Sequence, residues 1–188
     1  MTAVLLTLPA CGTTYSTYYR GAAKEFRIPA DYQPQAREYS PSERQPSSIS
    51  PSVISDKDFA LTWPVKRLQV NRGYRPERAP NHQGMDLGGQ LGTPILAAHP
   101  GRIIYAGRDF RGYGKMVLIE YNDQWATLYG HLNRIGVNEG QIVNAGEEIG
   151  KMGRTGHASG VHLHFELIHK KQPIDPEPYF TKKHADNR

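Results

Sequence analysis

Cysteine is almost absent from this chain, since Cys11 is the only one among 188 residues. A single thiol cannot form an intramolecular disulfide, and it cannot build the closed thiolate site of a structural zinc domain. Long hydrophobic runs are absent as well. The apolar stretch MTAVLLTLPAC at the start is shorter than the roughly 20 residues that a membrane-spanning helix needs. A metal bound by this protein is therefore expected in an open site built from histidine and carboxylate ligands.

Positive charge is in modest excess. The chain has 23 Lys and Arg residues against 18 Asp and Glu, which gives a net charge of +5 and a pI near 9.3. Such a balance suits an anionic partner, for example a cell-wall polymer, a membrane surface or nucleic acid. An ordinary solvated surface explains it equally well. The sequence has no basic helix, no aromatic-interleaved platform and no zinc finger, so no nucleic acid is expected as a partner.

Residues 12–58 hold few aliphatic side chains and many Ser, Pro, Tyr, Arg and Gln. A stretch such as PQAREYSPSERQPSSISPS buries too little apolar surface to offset the entropy lost on ordering it. We therefore predict a flexible tether over 12–58, one folded domain over 59–180 and a polar basic tail over 181–188. For residues 12–58, a packed N-terminal subdomain is the alternative. No internal repeat is recognised.

Residues 1–11 resemble the last part of a bacterial lipoprotein signal, in which Cys11 would carry the lipid. Leu8, Pro9 and Ala10 precede it. Pro9 is unusual at its position, and the basic segment that normally begins a signal is missing, which indicates a late start codon or a truncated sequence. Gly12 follows in place of Asp, so resemblance to Gram-negative lipoproteins implies the outer membrane, with the protein facing the periplasm. A free cysteine in a disordered end is the alternative.

Short apolar runs recur along the second part of the chain, at 94–98, 102–106, 116–121, 125–132, 141–143, 148–152 and 161–168. Gly, Pro, Asn and Asp separate them, which is typical of an all-β chain with tight turns. We expect a mainly antiparallel sheet with one polar face open to solvent. This face would form the floor of a groove, and the Gly-containing loops 108–115 and 154–160 would form its walls. Residues 141–153 resemble half of a lipoyl-type barrel, in the manner of a duplicated hybrid motif.

Five residues in three short segments form a candidate site: His82 and Asp86 in NHQGMD, His131 in LYGHL, and His162 and His164 in VHLHFEL. Neutral imidazole and carboxylate groups are natural zinc ligands. A catalytic zinc has three protein ligands and leaves one position for water. The five residues together indicate a zinc site with proton-transfer partners, although a histidine pair two residues apart is a weak motif by itself.

Strand alternation supports this interpretation, because successive side chains of a strand point to opposite faces. His162, His164 and Glu166 would share one face of 161–168, and Tyr129 and His131 would share one face of 125–132. Pro80 and Gly84 argue against a helix around His82, so we predict a loop that leads into a short strand, 85–87, carrying Asp86. The other histidines are interpreted as surface or satisfied core groups: His99, His157, His169 and His184.

From about Trp63 to Phe180 the chain resembles the lysostaphin-type (LytM-type) zinc peptidases, which cut peptide bonds in bacterial peptidoglycan. The stretches that carry the resemblance are HQGMDLGG, LGTPILAAHPGRIIYAG, GYGKMVLIEY, WATLYGHL, VNEGQIVNAGEEIGKMGRTGHASGVHLHFEL and PIDPEPYF. The resemblance implies that His82, Asp86 and His164 bind one zinc ion. It implies that His131 and His162 are the catalytic histidines. No ligand position is substituted, whereas family members with degenerate sites act as regulators.

The resemblance therefore implies a zinc metalloendopeptidase that hydrolyses peptide cross-links of peptidoglycan in the cell envelope. Its partners would be stem peptides, the membrane through the lipid anchor, and cell-division or amidase proteins. A non-catalytic activator of a cell-wall amidase on the same fold is the alternative, and a zinc enzyme with another peptide substrate is a further one. For Tyr129 a substrate contact and a core role are both open. For Glu166 the alternatives are a residue that orients a ligand histidine and an exposed carboxylate.

Overall fold

The computed structural model describes residues 59–181 of the chain. Within this range there are eleven β-strands, no α-helix and one 3-10 turn at Glu177–Tyr179. The predicted signal and tether, and residues 182–188 of the predicted tail, lie outside the described residues. The strands are β1 Val70–Arg72, β2 Met85–Gly88, β3 Pro94–Leu96, β4 Gly101–Gly107, β5 Lys115–Glu120, β6 Trp125–Leu132, β7 Arg134–Ile135, β8 Ile142–Val143, β9 Glu148–Lys151, β10 His162–His169 and β11 Gln172–Ile174.

Eight strands form the main sheet, in the order β1-β2-β10-β6-β5-β4-β8, and β11 pairs with the end of β10 beyond β2. The other three form a small sheet in the order β3-β9-β7. Every ladder between these strands is antiparallel. The predicted all-β, mainly antiparallel fold is thereby confirmed. In residues 59–181, no helix has the length and apolar character to cross a membrane.

The predicted strands agree with the observed ones to within two residues at each end, and 125–132 coincides with β6. Three strands were not predicted: β1, β7 and β11. They contain only two or three residues each and none of those residues is fully buried. Strands this short and exposed have no alternation of apolar and polar residues that a sequence pattern could detect.

The two faces of the main sheet differ. Leu163, Phe165 and Leu167 of β10 enter the larger hydrophobic core, which leaves His162, His164 and Glu166 on the opposite face. That second face is less open than expected. A second apolar cluster occupies much of it, formed by Tyr105, Met116, Leu118, Ala126, Leu128 and Ile168, with Phe110 and Tyr113 packed against it. The polar face expected from the sequence is therefore partly covered by apolar side chains.

A bulge in β6 brings His131 to this second face. Lys115 pairs with Leu132 and Val117 with Tyr129, so a step of three residues in β6 lies opposite a step of two in β5. His131 has a φ of 62° at this point. Tyr129 and Leu132 both enter the larger core. The expectation that Tyr129 and His131 share a face is wrong, because the extra residue of the bulge breaks the alternation.

His99 belongs to a buried polar network beneath the main sheet. Its side chain is fully buried, with Nε2 2.8 Å from Thr127 Oγ1 and Nδ1 2.8 Å from the Pro100 carbonyl. The Thr127 hydroxyl also lies 3.0 Å from the Tyr129 hydroxyl, which accepts from the Ala98 amide at 2.7 Å. This confirms the interpretation of His99 as a satisfied core histidine. Burial lowers its pKa from 6.5 to about 4, although the Pro100 carbonyl partly opposes the shift.

We expect His99 to make the folded state less stable as the pH falls from about 6.5 to 4. In that range the unfolded chain binds a proton at His99 that the folded chain does not, so the free energy of unfolding decreases by up to about 3 kcal/mol. His99→Gln should flatten this dependence. Melting temperatures of the two proteins at a fixed metal concentration and several pH values test this, and parallel curves would contradict it.

Candidate metal centre

The pairing of β2 with β10 joins the two distant segments that carry the predicted ligands, because Asp86 lies opposite His164 in the ladder. Asp86 Oδ1 is 3.0 Å from His164 Nδ1 and 3.0 Å from His82 Nε2. One potential ligand atom of each residue lies within 4.8 Å of the other two. The exposed fractions of the three side chains are only 8% to 15%, so the cluster is accessible but largely shielded from water.

A compact turn carries His82 to this place. The Ala79 amide donates to the Arg75 carbonyl at 3.0 Å, and the His82 amide donates to the Ala79 carbonyl at 2.9 Å. Gly84 follows. A Cβ at Gly84 would lie 2.3 Å from the Phe165 carbonyl oxygen, so any larger residue would push the chain away from β10. The predicted loop that leads into a short strand is present, with β2 at Met85–Gly88.

The donor set fits a zinc ion. Two imidazoles and one carboxylate are a common ligand set of catalytic zinc. His82 Nε2 is close to Asp86, but the contact lacks the geometry of a hydrogen bond, and both ring nitrogens of His82 are buried without a hydrogen-bond partner among the described residues. Buried polar atoms normally have partners. A cation between His82, Asp86 and His164 would satisfy the unpartnered nitrogen that faces them.

The charges of the site also favour a cation. His164 lies between two carboxylates, with Nδ1 3.0 Å from Asp86 Oδ1 and Nε2 2.9 Å from Glu166 Oε1. Burial alone would lower the pKa of His164, but these two carboxylates raise it to about 9. Burial would raise the pKa of Asp86, but contacts with His164 and His82 hold it well below its usual range. Without a metal, a proton on His164 therefore supplies the positive charge that the two carboxylates require.

His131 and His162 lie beside this cluster. Their ring centroids are 4.8 Å apart, and the rings of His131 and His164 are 5.8 Å apart. His131 Nδ1 lies 2.8 Å from the Thr155 carbonyl, and His162 Nδ1 lies 3.0 Å from the Gly160 carbonyl. A carbonyl only accepts, so Nδ1 of each ring carries the hydrogen and Nε2 of a neutral ring keeps its lone pair. Burial, aided by the charge on His164, lowers the pKa of His131 to about 4.

Tyr129 and Glu166 have distinct environments. Tyr129 is fully buried in the larger core and belongs to the His99 network, so of its two predicted roles only the core role is compatible with the structure. Glu166 is also fully buried, which excludes the exposed carboxylate. Its Oε1 accepts a hydrogen bond from the Tyr113 hydroxyl at 2.8 Å and lies next to His164. Glu166 is thus placed to orient that histidine.

Two residues near the site were not identified from the sequence, Tyr113 and Thr155. The Tyr113 carbonyl accepts a hydrogen bond from the His131 amide at 2.8 Å. The Thr155 hydroxyl accepts from the Lys115 amide at 2.9 Å and donates to the Leu132 carbonyl at 2.8 Å. Both lie in irregular loops, where their partners depend on the tertiary structure. A tyrosine between two glycines, as in GYG, is the only local signal that could have marked Tyr113.

The two predicted wall loops pack against each other. The His157 amide donates to the Gly112 carbonyl at 2.8 Å, and a Cβ at Gly156 would lie 2.3 Å from that same oxygen. Gly156 has a φ of 73°, which favours glycine for a second reason. Loops 108–115 and 154–160 therefore build one side of the site together, next to His131 and His162. His157 is exposed, as predicted, and His169 stacks on Trp125 with ring centroids 3.9 Å apart.

The sequence profile of Peptidase family M23 matches residues 80–176, which include all five candidate residues. The match covers just over half of the chain, and the protein belongs to this family. The fold agrees with that membership, and the resemblance to lysostaphin-type peptidases is confirmed.

Two curated relatives are similar over most of this chain. The "Lipoprotein NlpD/LppB homolog" of Pseudomonas aeruginosa is 38% identical over 137 residues, which are 73% of this chain and 45% of the relative. The "Murein hydrolase activator NlpD" of Escherichia coli is 38% identical over 121 residues, which are 64% of this chain and 31% of the relative. The chain thus spans less than half the length of these relatives.

Two solved structures share the fold. A zinc-containing peptidase from Vibrio cholerae superposes with a TM-score of 0.58 at 31% identity, over 62% of this chain and 39% of that chain. The catalytic domain of lysostaphin from Staphylococcus simulans gives a TM-score of 0.55 at 31% identity, over 60% of this chain and 91% of that domain. The described domain therefore shares the fold of these two peptidase structures.

Proposed function

We propose that this protein is a zinc-dependent endopeptidase that hydrolyses the peptide cross-links of bacterial peptidoglycan. One observation carries the proposal. His82, Asp86 and His164 bring three potential zinc ligands within 4.8 Å of one another, and two further imidazoles, His131 and His162, lie immediately beside them. In this proposal the first three residues hold the metal and the other two are catalytic.

Bound zinc would supply a water of lowered pKa, near 7, and would polarise the carbonyl of the scissile amide. His131 and His162 each present an Nε2 whose lone pair is fixed by the hydrogen bond at Nδ1. Such a nitrogen can accept a proton from attacking water, and once protonated it can donate a hydrogen bond to the oxyanion of the substrate. A pKa of about 4 keeps His131 neutral at pH 7, as a proton acceptor requires. In this proposal either histidine can take either role.

The loops around the site favour a substrate with free carboxylates. Arg75 and Arg78 precede His82, Arg108 and Arg111 lie in the loop of Tyr113, and Arg154 precedes Thr155. All five arginines are exposed, and the same loops contain only two acids, Glu77 and Asp109. Asp109 is engaged by the Tyr105 hydroxyl at 3.1 Å. A basic rim attracts anionic ligands, and peptidoglycan stem peptides carry carboxylates.

The test is hydrolysis of purified peptidoglycan by the full chain and, in parallel, by residues 59–188. We expect zinc-loaded protein to release peptide fragments in which a cross-link has been cut, which mass spectrometry of the soluble products would identify. A chelator should stop the release and added zinc should restore it. Absence of release by metal-loaded protein from several wall types would reject the proposal.

A second candidate function is activation of a cell-wall amidase without hydrolysis by this protein. The names of the NlpD relatives, which are called murein hydrolase activators, favour it. The complete set of histidines favours the enzyme, because an activator has no use for buried polar groups that cost stability. The test measures stimulation of a purified amidase by the wild type and by a His131→Gly variant. Equal stimulation by the two proteins, with no hydrolysis of peptidoglycan by either, would favour the activator.

We also propose that the protein is anchored in the outer membrane through lipidated Cys11, which lies outside the described residues. The lipoprotein names of the relatives support an envelope location. We expect the precursor to fractionate with membranes and Cys11→Ser to release it. Recovery of Cys11 as a free thiol from cells would contradict the anchor.

A further inference from the structure

Tyr113 makes two contacts that lead to different histidines of the site. Its hydroxyl donates to Glu166 Oε1 at 2.8 Å, and the same oxygen lies 2.9 Å from His164 Nε2. Its carbonyl accepts from the His131 amide at 2.8 Å. One loop residue is therefore connected to a proposed zinc ligand through its side chain and to a proposed catalytic histidine through its main chain.

The contact with His164 determines which ring nitrogen is available to a metal. Glu166 is fully buried, and as a carboxylate it only accepts, so it selects the ring form in which His164 carries a hydrogen on Nε2. Nδ1 then keeps its lone pair on the side of Asp86, where the ligand atoms converge. A carboxylate behind a ligand histidine both orients the ring and makes the coordinating nitrogen more basic.

The position of the Tyr113 ring agrees with a supporting role. Its centroid lies 5.8 Å from that of His164, and it packs on the apolar cluster of the second face. Tyr113 and His164 flank the same backbone position, since a Cβ at Gly130, directly opposite His164 in the ladder, would lie at van der Waals distances of 3.4 Å from Tyr113 Cδ1 and 3.5 Å from His164 Cβ. The hydroxyl is directed to Glu166 and not toward the ligand atoms.

We propose that Tyr113 and Glu166 are positioning residues, which hold the ring of His164 with Nδ1 toward Asp86 and tie this orientation to the loop that holds His131. The proposal rests on the proposed zinc site, but not on hydrolysis of peptidoglycan. Glu166 acts directly on His164, and the Tyr113 side chain acts through Glu166.

The test uses the full chain and two variants, Tyr113→Phe and Glu166→Gln, with Tyr74→Phe as a matched control. Tyr113→Phe removes one hydroxyl and keeps the ring and the carbonyl. Tyr74→Phe also removes one hydroxyl, which feels the charge of Glu166 but donates to the Pro173 carbonyl at 3.1 Å. Zinc affinity is measured by competition with a coloured chelator, and nitrogen-15 shifts of His164 in the zinc-loaded proteins report which ring nitrogen carries hydrogen.

We expect Glu166→Gln to weaken zinc binding by about 10- to 100-fold and Tyr113→Phe by about tenfold, on the scale known for residues behind metal ligands. The double variant should bind zinc as weakly as Glu166→Gln alone, because the tyrosine acts through the carboxylate. Tyr74→Phe should bind zinc like the wild type. The shifts should show hydrogen on Nε2 in the wild type and a mixture of ring forms in Glu166→Gln.

Unchanged zinc affinity in both variants would overturn the proposal, as would hydrogen on Nδ1 of His164 in the wild type. Equal weakening in Tyr74→Phe would overturn the specific role of Tyr113. If Tyr113→Phe lowers the melting temperature of the metal-free protein, its zinc affinity no longer reports the lost hydroxyl alone. The nitrogen-15 shifts of His164 in the wild type and in Glu166→Gln then still test whether Glu166 selects the ring form. A protein that binds zinc in this manner but does not cut peptidoglycan would refute the proposed function and leave this inference intact.

Discussion

Purified wild-type protein should contain about one zinc per chain, and replacement of His164 or His82 by alanine should reduce this to nearly none. Each substitution leaves only two of the three proposed ligands, and two ligands rarely retain zinc against buffer. Atomic emission or absorption analysis of the purified proteins measures the content. His157→Ala is the matched control, because His157 is exposed on the loop next to the site and is not a proposed ligand. Retention of zinc by His164→Ala would refute the ligand assignment.

The two ligand variants should differ in stability. His164 lies between Asp86 and Glu166, and removal of one partner from a buried ion pair costs on the order of 3–5 kcal/mol because the other charge stays buried. The ring nitrogens of His82 make no hydrogen bond within the described part of the chain, so His82→Ala should cost less, although it also removes a favourable contact of Asp86. Metal-free His164→Ala should therefore melt at a lower temperature than metal-free His82→Ala. Equal melting temperatures would contradict the electrostatic account of the site.

The sequence was sufficient to predict most of the sheet and the composition of the candidate site. Alternation in VHLHFEL correctly placed His162, His164 and Glu166 on one face, because β10 is a regular strand between two partners. The apolar run 125–132 also predicted both ends of β6 correctly. Such patterns succeed where every residue obeys the period of the strand.

His131 shows where this reasoning fails. Its segment continues the pattern of β6, yet a positive φ and one extra residue turn its side chain to the other face. The segment LYGHL contains no sequence signal that predicts the bulge. In the structure the bulged residue contacts Tyr113 and Thr155, which belong to loops distant in sequence. The exposed polar face was overestimated for the same reason, since Phe110 and Tyr113 of a loop cover part of it.

Replacement of His131 should separate catalysis from metal binding and from folding. A residue other than glycine at a φ of 62° is in a conformation that costs roughly 1–2 kcal/mol for a side chain with Cβ, and glycine carries little of this cost. His131→Gly therefore removes the imidazole and relieves strain in one step. We expect its melting temperature to equal or exceed that of the wild type, with one zinc per chain retained. Strain of this kind is often kept at functional positions.

Hydrolysis by His131→Gly should nevertheless fall by about 10²- to 10⁴-fold, the range expected when a positioned acid or base is removed. His162→Ala should lose activity to a similar extent and also keep its zinc, since His162 is not one of the three proposed ligands. Release of peptides from peptidoglycan measures the rates, with the exposed His157→Ala as the control that should keep full activity. Loss of zinc from His131→Gly would show that His131 is a ligand, and full activity would show that neither its proton transfer nor its hydrogen bonding is needed.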